Sequence, residues 1–288
     1  MSETVALAVI GGTGLYSMPG LHDVKEYDLD TPFGKPSAPL VVGTLGNRRV
    51  AFLARHGQGH TLLPSEINFR ANFYALKMLG VVSVISVNAV GSLRESYAPG
   101  DLVVPDQVFD FTRDRKRTFF GEGLVAHISP ADPFCADLSR QLVDSIRMTG
   151  ATVHQGGTFL AIEGPRFSTK AESQVFRQWG MSIIGMNTAP EAFLAREAEM
   201  CYAAMAHVTD YDVWHVIDAP VTVDIIIERL AQNVEISRQA IRNLADSYDE
   251  KRSCSCGSAL KNTMITHPDM VPPETRQKLS LLVGKYLK

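Results

Sequence analysis

The chain alternates short apolar runs with longer stretches of helical spacing. Residues 5–10 (VALAVI) stop at a Gly-Gly pair, and similar runs occupy 39–42, 50–54, 81–87, 102–104, 158–162, 182–186 and 201–208. They are bounded by glycine, proline or polar residues, the pattern of central strands buried on both faces. Helical spacing over 68–79, 136–148, 170–179, 191–199, 223–248 and 272–286 predicts helices. Strands alternating with helices predict an α/β fold, a single domain with a mixed central β-sheet flanked by helices. Composition shifts once, at 249–262 (DEKRSCSCGSALKN), which reads as a polar surface connector. The expected division is a domain over 1–250 and a C-terminal extension over 251–288, whose terminal helix packs on the same domain.

With 288 residues, 45% of them hydrophobic and 20% charged, the chain can bury a sizeable core without staples. A net charge of −3 speaks against a nucleic-acid footprint. No apolar run is long enough to span a membrane, and the opening residues lack the basic start of a secretory signal. A cytoplasmic protein is therefore expected, with neither nucleic acid nor membrane as partner. Cysteines stand at 135, 201, 254 and 256, too few and too scattered for a disulfide framework. Cys254 and Cys256 can close only a small, strained disulfide, and a pair of ordinary surface thiols is the simpler expectation. Structural zinc needs more cysteines than this tail contains, and no metal is expected.

Ligands of open α/β sheets bind beyond the carboxyl ends of strands, and the residues there are unusual in this chain. Gly12-Thr13-Gly14 offers backbone N–H groups and a hydroxyl to an anion. A dinucleotide fingerprint would need glycine at position 17, which is Ser17. Arg55-His56 supplies a forked cation with a second donor beside it. His56 and His60 have the spacing of a metal pair, but the intervening Gly-Gln-Gly argues against a helix, and a solvated basic loop is the plain alternative. Asn88-Ala89 follows an apolar run and can also be an ordinary strand exit. Around the Gly164-Pro165 turn, Phe167 can stack on a flat base, whereas Glu163 and Arg166 suit a structural ion-paired turn equally well. Asp210 and Asp212 flank Tyr211 at the end of an apolar run; on extended chain they point the same way and present two acceptors to the donor edge of a 6-aminopurine. A polar loop pair is the alternative.

Several stretches carry a resemblance: IGGTGLY (10–16), DTPFGKPS (30–37), LARHGQGHTLLPSEINFRAN (53–72), VNAVGSLRE (87–95), PGDLVVPDQ (99–107), IEGPRFSTKAES (162–173) and HVTDYDVW (207–214). In order and spacing they resemble the trimeric purine nucleoside phosphorylase group and, within it, the methylthioadenosine phosphorylase family. The resemblance implies phosphorolysis of 5'-methylthioadenosine to adenine and 5-methylthioribose 1-phosphate, in purine and methionine salvage. It implies inorganic phosphate as co-substrate, no organic cofactor, and a homotrimer or dimer of trimers. Phosphate contacts are implied at Thr13, Arg55, His56, Asn88, Ala89 and Asn187, and purine and ribose contacts at Met186, Asp210 and Asp212, with Phe167 and Ser168 at the base. Val223, Ile226 and Ile227 would line the methylthio pocket, and His127 would reach a neighbouring subunit's site. Positions 88 and 187 carry Asn where the animal-type enzymes have Thr, and an amide can still donate to phosphate.

The expected catalytic residue is Asp210, protonating adenine N7 with its own pKa raised by burial and by Asp212. A 6-oxopurine or methylthioinosine phosphorylase is the nearest alternative, opposed by the carboxylate pair, which would face the O6 acceptor. A hydrolase or a non-catalytic nucleoside-binding protein is opposed by the phosphate set together with the acid.

Overall fold

The computed structural model describes residues 5–12, 18–215 and 223–287, without the side chains of 224–232. Among the described residues a mixed sheet contains β1 (Leu7–Gly11), β2 (His22–Tyr27), β3 (Leu40–Leu45), β4 (Arg48–Ala54), β5 (Ser83–Ser92), β6 (Leu102–Val104), β7 (Gln107–Phe111), β8 (Val153–Gln155), β9 (Thr158–Ile162), β10 (Ile183–Gly185) and β11 (Cys201–Asp210). The order is β2-β3-β4-β1-β5-β10-β9-β7, while β11 pairs with both β5 and β6, and β6 with β8. The helices are α1 (Phe69–Met78), α2 (Ala136–Arg147), α3 (Lys170–Gln178), α4 (Thr188–Glu197), α5 (Val223–Ser247), α6 (Pro273–Lys278) and α7 (Ser280–Val283). The expected α/β architecture is met. No helix among the described residues is long and apolar enough to cross a membrane.

Strands β1, β4, β5 and β11 are mutually parallel, so their carboxyl ends open on one edge of the sheet. β10 runs antiparallel to β5, Ile184 opposite Gly91, and therefore delivers the segment after it back toward Asn88. The buried apolar runs form this centre because both of their faces are covered. α4 and α1 contribute to one core cluster with Leu40, Phe73 and Tyr202, while α2 and α5 close a second with Leu7, Ile85 and Met205.

The structure departs from the sequence reading at several elements. β5 continues to Ser92 rather than stopping at residue 87, so Asn88 and Ala89 lie within a strand and not after it. β2, β7 and β8 carry no apolar run: β2 (HDVKEY) is almost wholly exposed and β7 alternates exposed with half-buried positions. The expected helix over 272–286 breaks into α6 and α7, because Leu279 leaves helical geometry (φ −99°, ψ 6°). The 249–262 segment is not simply a surface connector. It buries Cys256 and Leu260, and Leu260 joins Leu279, Leu282 and Val283 in the cluster that also holds Phe73 and Tyr202.

Candidate active site

A cavity of about 130 Å³ opens at the shared edge. Gly12 follows β1, Arg55 and His56 follow β4, and Val87, Asn88 and Ala89 come from β5. Asn187 enters behind β10, at the N-cap of α4. The parallel strands thus gather Arg55, His56, Asn88, Ala89 and Asn187; Thr13 lies outside the described residues.

Arg55 is only 1% exposed. Its Nε donates to Glu191 Oε1 at 2.5 Å and its Nη2 to Glu191 Oε2 at 3.3 Å. Nη1 donates to the Val87 carbonyl (3.0 Å) and Nη2 also to Ser86 Oγ (2.6 Å). Ser86 Oγ and Tyr202 Oη, each at 2.8 Å, donate to Glu191 Oε2. A buried guanidinium requires a paired counter-ion, and the fork expected to clamp phosphate holds Glu191 instead. Arg55 reaches the cavity wall as one half of a neutral pair.

His56 is corrected in a similar way. Its Nδ1 donates to the Leu62 carbonyl at 2.9 Å, which leaves Nε2 as an acceptor in the neutral ring. Burial, reinforced by the adjoining Arg55 charge, lowers its pKa to about 4. At neutral pH it is therefore not the second donor expected from sequence. Its ring stacks on His60 at 4.3 Å, and the one cluster of three or more potential metal ligands found among the described residues lies elsewhere. Asn88 uses Nδ2 on Ser86 O (3.2 Å) and Ser86 Oγ (3.0 Å), so as placed it turns an acceptor, not its amide donor, to a ligand.

His60, weighed in the sequence only as half of a metal pair, also lines the wall, and other wall residues escaped the sequence reading: His207 from β11, and Asn233, Val234 and Ser237 from α5. His207 Nε2 lies 2.5 Å from Ser237 Oγ, which donates to Asn233 O at 3.2 Å. Burial lowers the His207 pKa to about 4. The available signals were a histidine inside the apolar run 201–208 and a polar pair four residues apart on a helix, which share one face. Asn88 Oδ1, Asn187 Oδ1, His207 Nδ1 and Asn233 Nδ2 are buried and have no hydrogen-bond partner among the described residues. Such atoms each cost about 1–3 kcal/mol unless a ligand or water meets them. Their convergence on one cavity marks a place built for a polar guest.

The acidic pair lies farther along the same edge, but not for the reason read from sequence. β11 ends at Asp210, and Asp212 begins a short 3₁₀ turn with φ +52°. The pair is held by a turn rather than by extended chain: Asp210 Oδ1 accepts from the Asp212 N–H (2.7 Å) and Oδ2 from Thr209 Oγ1 (2.6 Å). Asp212 Oδ2 accepts from Ser173 Oγ at 2.5 Å. Burial raises the Asp212 pKa; the Ser173 bond opposes this and the Asp210 charge adds to it. Both acids crowd Gly91, where a Cβ would meet Asp210 Oδ1 at 3.1 Å and Asp212 Cβ at 3.2 Å.

The remaining predicted residues are not gathered into the cavity. Met186 is half-buried, and its carbonyl is held by Arg115, which also binds Glu163 and the Ala189 carbonyl. Arg166 pairs with Glu172, so the charges of the Gly-Pro turn are structural. Phe167 is 41% exposed. Ser168 borders a second hollow with Arg113, Glu163 and Arg166. Val223, the first residue of α5, is exposed, and the side chains of Ile226 and Ile227 lie outside the described residues. His127 is exposed on a segment whose backbone N–H donates to Thr263 O (2.9 Å), and it borders neither hollow.

Residues 6–248 match the Phosphorylase superfamily, and the chain belongs to that family. It is 52% identical to an S-methyl-5'-thioadenosine phosphorylase of Geobacter sulfurreducens, covering 98% of this chain and 99% of that protein. It is 51% identical to the one from Koribacter versatilis, over 97% and 96% of the two chains. A crystal structure of a methylthioadenosine phosphorylase from an Antarctic soil metagenomic library superposes with a TM-score of 0.92 at 44% identity, covering 97% of this chain and 99% of that one. The Schistosoma mansoni methylthioadenosine phosphorylase in complex with adenine superposes with a TM-score of 0.83 at 32% identity, over 97% and 98%.

Two predictions follow from these pairings. Arg55→Ala leaves Glu191 charged and unpaired in the interior and should lower unfolding free energy by about 3–5 kcal/mol, read from urea midpoints. A loss under 1 kcal/mol would mean that the pair is not formed. For His207 the unfolded ring takes a proton below about pH 6.5 and the folded one only near pH 4, so its contribution to stability is present above 6.5 and falls away as pH drops through this window. Wild type should therefore lose more stability than His207→Gln between pH 7 and pH 4.5, by on the order of 2–3 kcal/mol. Equal losses would show that the ring is already protonated in the fold.

Proposed function

We propose that this chain phosphorolyses 5'-methylthioadenosine to adenine and 5-methylthioribose 1-phosphate, with inorganic phosphate as co-substrate. The supporting observation is the wall of unpartnered polar atoms beside the Asp210–Asp212 turn, in a chain about half identical over nearly its full length to proteins named for that reaction. Phosphate sits against His56, Asn88, Ala89 and Asn187, with Thr13, which lies outside the described residues, as a further contact. His56 Nε2 and the asparagine Oδ1 atoms accept from the P–OH of hydrogen phosphate or from ribose hydroxyls. Placing phosphate beneath C1' supplies most of the rate, and the glycosidic bond breaks as C1' gains oxocarbenium character. Asp210, as the acid, gives its proton to N7 of the departing adenine. Asp212 accepts from the purine's 6-amino group. Phe167, Ser168 and Met186 contact the base and ribose, and Val223, Ile226 and Ile227 take the methylthio group. In this reading the enzyme acts in purine and methionine salvage in the cytoplasm and uses no organic cofactor.

Asp210→Asn tests the acid cleanly, because an amide oxygen can still accept from the Asp212 N–H and keep the turn. Its kcat/KM for methylthioadenosine at saturating phosphate should fall by roughly 10²–10⁴-fold. Relative activity on methylthioinosine should rise, since the amide can donate to O6. Near-wild-type release of adenine by this variant, or release that does not need phosphate, would refute the assignment.

His127, exposed in the single chain and bordering neither hollow, is read as completing a neighbour's site in a homotrimer or dimer of trimers. Activity per chain should then drop on dilution in step with dissociation measured by light scattering. A fully active monomer would exclude that role.

A further inference from the structure

The four cysteines, scattered in sequence, come together in the fold. Cys135, Cys201, Cys254 and Cys256 place their Sγ atoms all within 4.8 Å of one another, and all four are free thiols. Three are buried and Cys254 is half-buried. This overturns both the expectation of ordinary surface thiols at 254 and 256 and the argument that zinc lacked cysteines. The tail supplies two ligands, the N-cap of α2 a third (Cys135) and the start of β11 the fourth (Cys201).

We propose that these four thiols form a tetrathiolate site for a thiophilic divalent metal ion, zinc foremost, which clips the C-terminal tail to the sheet. A zinc tetrathiolate has Zn–S bonds of about 2.3 Å and hence sulfur–sulfur edges of about 3.8 Å. Here Cys201 Sγ and Cys254 Sγ are 3.4 Å apart, and no pair exceeds 4.8 Å, so slight adjustment completes the tetrahedron. The backbone is already fixed around it: Cys135 N–H donates to Tyr202 O (2.8 Å) and Cys201 N–H to Val82 O (2.9 Å). On the tail, Ser253 Oγ donates to Asp137 Oδ2 (2.6 Å) and Arg252 to the Glu199 carbonyl (3.1 Å).

At two of the four positions the surroundings suit a metal-bound thiolate. Cys135 stands at the positive end of a twelve-residue helix. Arg196 Nη1 donates to Cys256 Sγ at 3.4 Å and offsets part of the complex's charge, as outer partners of metal ligands do. Binding is balanced as four Cys–SH plus M²⁺ giving [M(S–Cys)₄]²⁻ and four H⁺. Disulfides would join the sulfurs only in pairs, whereas the packing converges them on one point. The site does not depend on the reaction proposed above: Cys201 and Asp210 are the two ends of β11, roughly 30 Å apart at about 3.3 Å per residue.

The test is elemental analysis of the full-length, untagged protein purified without chelator, followed by Co²⁺ titration of the metal-stripped, fully reduced protein. One zinc (or iron) per chain is expected, together with the intense visible absorption of tetrahedral Co²⁺–thiolate saturating at one equivalent. Cys254→Ser/Cys256→Ser should lose both signals. If that pair misfolds by circular dichroism, Cys254→Ser alone, at the half-buried position, should weaken Co²⁺ binding at least tenfold. Protein isolated with two disulfides is reduced and titrated in the same way. Metal-free protein whose four reduced thiols give no Co²⁺–thiolate spectrum would overturn the proposal.

Discussion

The candidate site is organised around a charge that never reaches solvent. Arg55 and Glu191 neutralise each other in the interior, and the groups that complete their shells come from across the sheet: Ser86 and Val87 on β5, Tyr202 on β11 and Ile10 on β1. An ion pair of this kind holds only if every remaining donor and acceptor is met. Meeting them fixes the relative positions of β1, β4, β5, β11 and α4, the elements whose ends make the cavity. The guanidinium is thus a framework element of the cavity wall.

This changes the chemical character of the wall. With Arg55 paired and His56 neutral, the described wall has little net charge. Its unpartnered atoms are chiefly acceptors: the Asn88 and Asn187 oxygens and a ring nitrogen of His207, with the Asn233 amide as donor. Such a surface selects by hydrogen-bond pattern. The acids sit along the same edge, where the tight approach to Gly91 and the turn between Asp210 and Asp212 set their spacing.

Much of this was legible in the sequence, and the boundary is physical. Strands buried on both faces announce themselves as apolar runs, so β1, β4, β9 and β11 were readable, whereas β2 and β7 lie at the sheet's edges and need no such run. The cavity residues Arg55, Asn88 and Asn187 were visible as polar groups near strand ends. Their hydrogen-bond directions were not, because those depend on partners far off in the chain. Arg55 meets Glu191 136 positions later, and Asn88 turns its amide back on Ser86. His207 was hidden inside an apolar run, and its role depends on Ser237 from a different element. The cysteine cluster required three segments to meet, which no local spacing encodes.

If phosphate binds in this cavity as proposed, the tautomer of His56 has a consequence for which oxyanions the site can tell apart. With Nδ1–H committed to Leu62 O, the ring's other nitrogen offers a lone pair, and two asparagine oxygens offer more. Phosphate and arsenate both carry a proton near neutral pH and can donate it to such a wall. Sulfate, of nearly the same size and shape, is fully deprotonated and meets lone pair against lone pair. In that reading, discrimination between these tetrahedral anions comes from the proton the anion brings.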